Sequence, residues 1–196
     1  IITLDKSSTE KVLTIDFGTG CQGKDGKIRT GKIIITTESF TDVNKLRTIT
    51  FDSYTVNGKQ VEGTIEKTIT LIVDANVKVA QISEDLTFVL PDNKGTATRV
   101  ANITRRYEFN TLGTVVDNKL YTWGETIFTR ANGRVLTKTI DETTPLLYKT
   151  VCKQTVSGIM TLDFDGDKTW TIDFGNGICD RLATATDGEK TWVVVL

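Results

Sequence analysis

Histidine is absent from this chain of 196 residues. That removes Ser-His-Asp and Cys-His nucleophiles, imidazole metal ligands and any acid–base step carried by an imidazole. Proline is scarce: Pro91 and Pro145 are the only two, both at expected strand ends. No stretch approaches the ~18 consecutive apolar residues that a membrane-spanning helix needs. The longest apolar runs are Ile33-Ile34-Ile35 and Val193-Val194-Val195-Leu196. An excess of charge is lacking too, since 24 Lys plus Arg against 25 Asp plus Glu leave a formal net charge of −1. A nucleic-acid partner is therefore not expected, because duplex binders carry a basic excess that displaces counterions. Zinc or thioredoxin spacing of the cysteines and glycine-rich phosphate loops are also missing, so no cofactor is expected.

What is present is alternation punctuated by turns. Asp25-Gly26, Asn57-Gly58, Asp92-Asn93, Asp117-Asn118, Asn132-Gly133, Asp165-Gly166 and Asp187-Gly188 tolerate the positive φ angles of hairpin turns. Between them the period is two. Val61, Gly63, Ile65, Ile69, Leu71 and Val73 fall on one face, opposed by Glu62, Thr64, Glu66, Thr68 and Thr70. No segment carries a useful 3.6-residue stripe; the best, Val79 to Leu86, is short and β-branched. The expectation is one all-β domain over 1–196, an antiparallel meander of ten to twelve strands in long hairpins. One apolar face requires the meander to close into a barrel-like roll or a two-layer sandwich.

The two ends of the chain echo each other. Thr14-Ile15-Asp16-Phe17-Gly18-Thr19-Gly20 returns as Thr171-Ile172-Asp173-Phe174-Gly175-Asn176-Gly177, differing only at Thr19 against Asn176. Thr3-Leu4-Asp5 precedes the first copy and Thr161-Leu162-Asp163 the second. Matched flanks around a polar tip of different length predict related hairpins at 3–21 and 161–179.

The cysteines are Cys21, Cys152 and Cys179. A two-residue Asp165-Gly166 turn would set Phe164 opposite Asp167 and, carried along the ladder, Cys152 opposite Cys179. A cross-strand disulfide is then open in an oxidising compartment. Against it, that pair falls on the hydrogen-bonded register, which a bulge at Gly175 or Gly177 could shift by one. Three small buried side chains are the plainer alternative.

Several strings resemble uncharacterised secreted lipoproteins of the Bacteroidetes. They are Ile15-Asp16-Phe17-Gly18-Thr19-Gly20-Cys21, Asp25-Gly26, Arg29-Thr30-Gly31-Lys32-Ile33-Ile34-Ile35-Thr36, the run from Thr50 to Thr64, Val156-Ser157-Gly158, and Ile172 to Asp180. The likeness covers both ends and the first third well, and the middle, about 75 to 145, loosely. It implies export to the periplasm, outer membrane or cell surface, an all-β body, and a lipid-anchored N-terminus lying outside this chain as the only membrane attachment. It implies no catalytic residue.

Three constellations invite a function. Tyr121, Trp123 and Glu125 alternate onto one strand face, and aromatic rings beside a carboxylate suit a sugar ring. The competing reading is cross-strand packing, which is also what the period assigns to Trp170 and Trp192. Asp163, Asp165 and Asp167 suggest calcium, but glycine placement and strand flanks fail the EF-hand pattern, and turn chemistry explains the string. Arg105-Arg106 puts one guanidinium on each face, the inward one needing a carboxylate such as Glu108 or Glu125. These residues favour a non-enzymatic binding protein with a glycan ligand over a structural or adhesion subunit acting on another surface protein. A two-carboxylate glycoside hydrolase comes third, because nothing sets two acids at the required separation.

Overall fold

The computed structural model describes residues 1–6, 10–38, 44–72, 76–109 and 118–196. The hairpin tip at 7–9, Val73 and the Asp117 half of one turn signal lie outside the described residues. Alternation becomes strand throughout. The strands are β1 (Ile2–Asp5), β2 (Glu10–Asp16), β3 (Cys21–Gln22), β4 (Ile28–Glu38), β5 (Asn44–Val56), β6 (Lys59–Ile72), β7 (Val77–Val89) and β8 (Thr96–Glu108). They continue with β9 (Lys119–Thr129), β10 (Val135–Ile140), β11 (Leu146–Lys149), β12 (Gln154–Phe164), β13 (Lys168–Asn176), β14 (Leu182–Thr186) and β15 (Thr191–Val195). The described residues include no helix, and Val79 to Leu86 lies inside β7.

All pairings are antiparallel and follow chain order, β1-β2-β4-β5-β6-β7-β8-β9-β10-β12-β13-β14-β15. The meander of long hairpins is therefore the observed fold. Among the described residues the strands number fifteen rather than ten to twelve, because short pieces such as β3 and β11 count separately. β10 and β11 lie end to end between the same two neighbours. β9 pairs with β10 over Gly124–Thr129 and with β11 over Lys119–Thr122, and β12 pairs with both. One strand is thus interrupted by a detour at 141–145, and the pairings β9–β10–β12–β11 form a partial ring around it. Closure of this local kind is compatible with either a barrel-like roll or a two-layer sandwich.

Register assigns each side chain to a face. One face is mostly apolar at both wings: Leu4, Leu13, Ile35, Ile49 and Ile65 form one cross-strand row, and Leu162 faces Trp170 at the far wing. Its tightest cluster is Tyr54, Val61 and Leu86, with Phe17 and Phe51 against the tyrosine at 5.6 and 5.7 Å between ring centres. The other face carries threonine rows such as Thr139, Thr161, Thr171, Thr186 and Thr191. The accessible surface is 12133 Å² for 21.7 kDa, roughly a third above the ~9,200 Å² of a compact monomer of that mass. Most side chains are accordingly half-buried.

The terminal echo is a true structural repeat. Thr3 faces Thr14, Leu4 faces Leu13 and Asp5 faces Val12; Thr161 faces Thr171, Leu162 faces Trp170 and Asp163 faces Thr169. In both copies the aspartate of the second strand's Ile-Asp-Phe-Gly string accepts a bond from the glycine two residues on: Gly18 to Asp16 Oδ1 at 2.7 Å, Gly175 to Asp173 Oδ1 at 2.8 Å.

The β12–β13 tip departs from the expected two-residue turn. Phe164 faces Lys168, not Asp167. Asp165 (φ 60°) and Gly166 (φ 73°) take the left-handed conformations, and the Asp167 N–H donates to the Phe164 carbonyl at 3.0 Å. The register is one residue off the expectation, and a shift between Ser157 and Ile159 moves it again lower down. Cys152, in the turn before β12, and Cys179, in the loop after β13, are disulfide-bonded with Cα atoms 5.5 Å apart. Cys21 is free and exposed.

Four glycines inside strands, Gly31, Gly63, Gly124 and Gly158, bring neighbouring backbones unusually close. A Cβ on Gly63 (φ 104°) would collide with the Asp85 carbonyl, and one on Gly124 (φ 120°) with that of Asn102. Such kinks let a long sheet curl. Gly63→Ala is expected to cost about 2 kcal/mol or more, combining a φ that alanine resists with a backbone clash. Gly166→Ala, at a tip with open space around it, should cost only about 1 kcal/mol; denaturant midpoints would compare the two. Reduction of Cys152–Cys179, or Cys152→Ser, opens a link across 27 residues and should remove about 3.5 kcal/mol, read as a lower unfolding midpoint in reductant.

Candidate functional site: a polar groove beside Trp123

The centre of the threonine-rich face is built from β6 to β9. Glu66, Ser83, Asn102 and Glu125 form one cross-strand row, and Thr68, Gln81, Thr104 and Trp123 the next. The three inner strands leave a hollow of about 260 Å³ lined by Glu66, Thr68, Gln81, Ser83, Asn102 and Thr104. These groups offer a carboxylate, two amides and three hydroxyls, with no aromatic among them. Trp123 and Glu125 stand one strand further along, opposite Thr104 and Asn102, and Trp123 is half-buried.

On the far side of β9 lies a second hollow of about 380 Å³. The detour at 141–145 makes it. Tyr121 lines it together with Thr143, Thr144, Pro145, Ser157 and Asp173. The detour is held by Asp141, whose Oδ1 accepts from the Thr143 N–H at 2.8 Å and the Thr143 hydroxyl at 2.5 Å. These two bonds, the hydroxyl's first, hold the Asp141 carboxyl below its ordinary value. Tyr121 also faces Arg106 across the strand, and Arg106 is paired with Glu108 at 3.0 Å.

Tyr121, Trp123 and Glu125 thus share one strand face, as their spacing requires; Trp123 and Glu125 stand beside the polar hollow, and Tyr121 lines the second, which mixes polar groups with Pro145, Leu147 and Ile159. Alternation on β6 already placed Glu66 and Thr68 on the polar face, whereas Gln81, Ser83, Asn102 and Thr104 join them through the register. The second hollow had no sequence signal, because it depends on β10 and β11 lying end to end.

The acidic string at the β12–β13 tip works as turn chemistry. Asp163 accepts from the Gly166 N–H at 2.7 Å and the Thr169 hydroxyl at 3.1 Å. Asp165 pairs with Arg134 at 2.8 Å and accepts a short bond from the Val135 N–H, tying the tip to the neighbouring hairpin. The Arg134 bond, then the Val135 bond, lowers the Asp165 carboxyl. Asp167 gives its backbone to the turn. Among the described residues no group of three His, Cys, Asp or Glu could hold a metal ion. Trp170 and Trp192 stack at 4.9 Å, yet Trp192 is 40% exposed on the last strand, short of the core position its period suggested. Arg105 is the inward arginine, and neither Glu108 nor Glu125 meets it: both lie on the opposite face.

No family model, curated protein or solved structure matches the chain.

Asp141 and Asp165 are both lowered in the fold, so their contribution is complete above the unfolded carboxylate value of ~3.9 and is lost as pH falls through the lower folded values. Thermal stability should therefore decline progressively below about pH 4. Asp141→Asn and Asp165→Asn should each show a shallower acid limb than the parent protein when melting is followed against pH.

Proposed function

We propose that this chain is the body of an exported, non-enzymatic binding protein that holds a glycan in the groove around Trp123. The observation that carries the reading is the position of Trp123 beside a polar hollow and of Tyr121 in the lining of a second hollow on the same face. A pyranose presents an apolar CH face that stacks on an indole, while its hydroxyls need amide, hydroxyl and carboxylate partners. Glu125, Asn102 and Thr104 are the adjacent polar groups. Export, with lipid anchoring as the family resemblance implies, is supported by the Cys152–Cys179 disulfide, since such links persist in oxidising compartments.

Adhesion through protein contacts is the second reading, and the sheet ends favour it. Ile2 on β1 is 72% exposed, and Val193 and Val195 on β15 are 68% and 76% exposed. Apolar edge strands of this kind are templates for strand addition.

Binding of the purified chain to a broad array of neutral glycans, alongside Trp123→Ala, separates these readings. A specific signal should fall by at least about tenfold in the variant, in line with the loss of one stacked ring. Full retention in Trp123→Ala would remove the site. Silence on the array together with concentration-dependent self-association would favour adhesion instead.

A further inference from the structure

The opposite, mostly apolar face changes character at its centre. Register puts Arg47 directly opposite Lys67, with Ile82, Ile103 and Gly124 continuing the row. The next row runs through Ala80 to Arg105. The row on the other side runs through Glu84, Ala101 and Thr126 to Lys138. Arg99 and Lys78 lie on the same face. Six cations therefore surround a floor of Ala80 and Ala101, both almost completely buried.

Among the described residues one acid joins them: Glu84, paired with Arg99 at 3.0 Å. Lys78 lies over the Tyr107 ring. Arg47, Lys67, Arg105 and Lys138 have no hydrogen-bond or ion-pair partner among the described residues, and Arg105 Nε is sealed from solvent without an acceptor. Partial burial, then Lys78, Arg105 and Arg47, pushes the Lys67 amine below its ordinary value; burial, then Arg99 and Arg105, does the same to Lys138. Like charges set opposite one another across strands destabilise a sheet. A chain with a net charge of −1 nevertheless gathers them here, and Glu84 alone does not balance them.

We propose that this strip, from Arg47 and Lys67 through Arg105 to Lys138, binds an acidic polysaccharide laid across the strands. It spans β5 to β10, five strand spacings or about 24 Å, which is too long for one small anion and suits a chain bearing anionic groups at intervals. Arginine forks and lysine ammonium groups both suit sulfate, phosphate and carboxylate. Nucleic acid fits less well, because single strands are held by aromatic platforms and the rows between Lys67 and Lys138 carry Ile82, Ile103, Ala80 and Ala101. The site lies on the face opposite Trp123 and is independent of the groove there.

Heparin serves as the probe in calorimetric titration of the whole chain, with Lys67→Gln, Arg105→Gln and Trp123→Ala in parallel. The parent protein should bind heparin with an affinity that falls as salt rises. Lys67→Gln and Arg105→Gln should each weaken binding by about tenfold or more, while Trp123→Ala leaves it unchanged. Lys67→Gln relieves repulsion, so its melting temperature without heparin should equal or exceed that of the parent, and lost binding then reflects the site and not unfolding. Absence of heparin binding at low salt would overturn the proposal, as would binding indifferent to both cation variants. Equal affinity for inorganic sulfate or for a single-stranded oligonucleotide would overturn the assignment to a polysaccharide.

Discussion

Everything in this molecule hangs on the continuous antiparallel hydrogen-bond ladder, in which each strand is held chiefly by the strands beside it. β6, β7 and β8 pair without a register break over thirteen residues each, from Gln60–Val89 to Ile72–Val77 and on to Glu108. Stability therefore accumulates from strand to strand, as in repeat proteins, instead of flowing from one central core. The tight apolar cluster around Tyr54, Val61 and Leu86 anchors one wing, and the paired tryptophans, with Ala183 and Ala185 buried nearby, anchor the other. The ladder shifts register in β4–β5, in β5–β6 and around β11 to β13, and the disulfide and the Asp165–Arg134 pair tie down the last of these regions.

A sheet built this way has two usable faces, and they differ in chemistry. The threonine-rich face gathers hydroxyls, amides and the carboxylates of Glu66 and Glu125 around Trp123 and Tyr121 at its centre, with a hollow on either side of β9. The other gathers aliphatic and aromatic side chains at its wings and cations between them. Gly63 and Gly124 permit close approach of backbones in the stretch that carries both sites, so the kinks that curl the sheet also shape what it presents.

Much of the fold was legible because hairpin chemistry is local. Asn57-Gly58 and Asp165-Gly166 announce their turns through the positive φ that those residues tolerate, and period two assigns Val61, Ile65 and Ile69 to one face without any tertiary information. The terminal echo was readable as a pair of related hairpins, whereas its register, Thr3 facing Thr14 and Thr161 facing Thr171, came from the structure. The shared face of Tyr121, Trp123 and Glu125 followed from the same arithmetic. The length of the β12–β13 turn did not, because Asp-Gly serves two- and three-residue loops alike, and one residue of difference moves the whole register.

By itself the sequence determined strand, turn and face, all of which depend on residues within a few positions of one another. Only the tertiary structure decided that β10 and β11 are halves of a single strand, and hence that a pocket opens beside Tyr121. It alone decided that Arg47, Lys67, Arg105 and Lys138, drawn from four separate strands, stand together on one face with Glu84 as the one acid beside them among the described residues. The physical reason is the same in both cases: a face is set by parity along one strand, whereas a neighbourhood is set by the register between strands, and register depends on every bulge and turn in between.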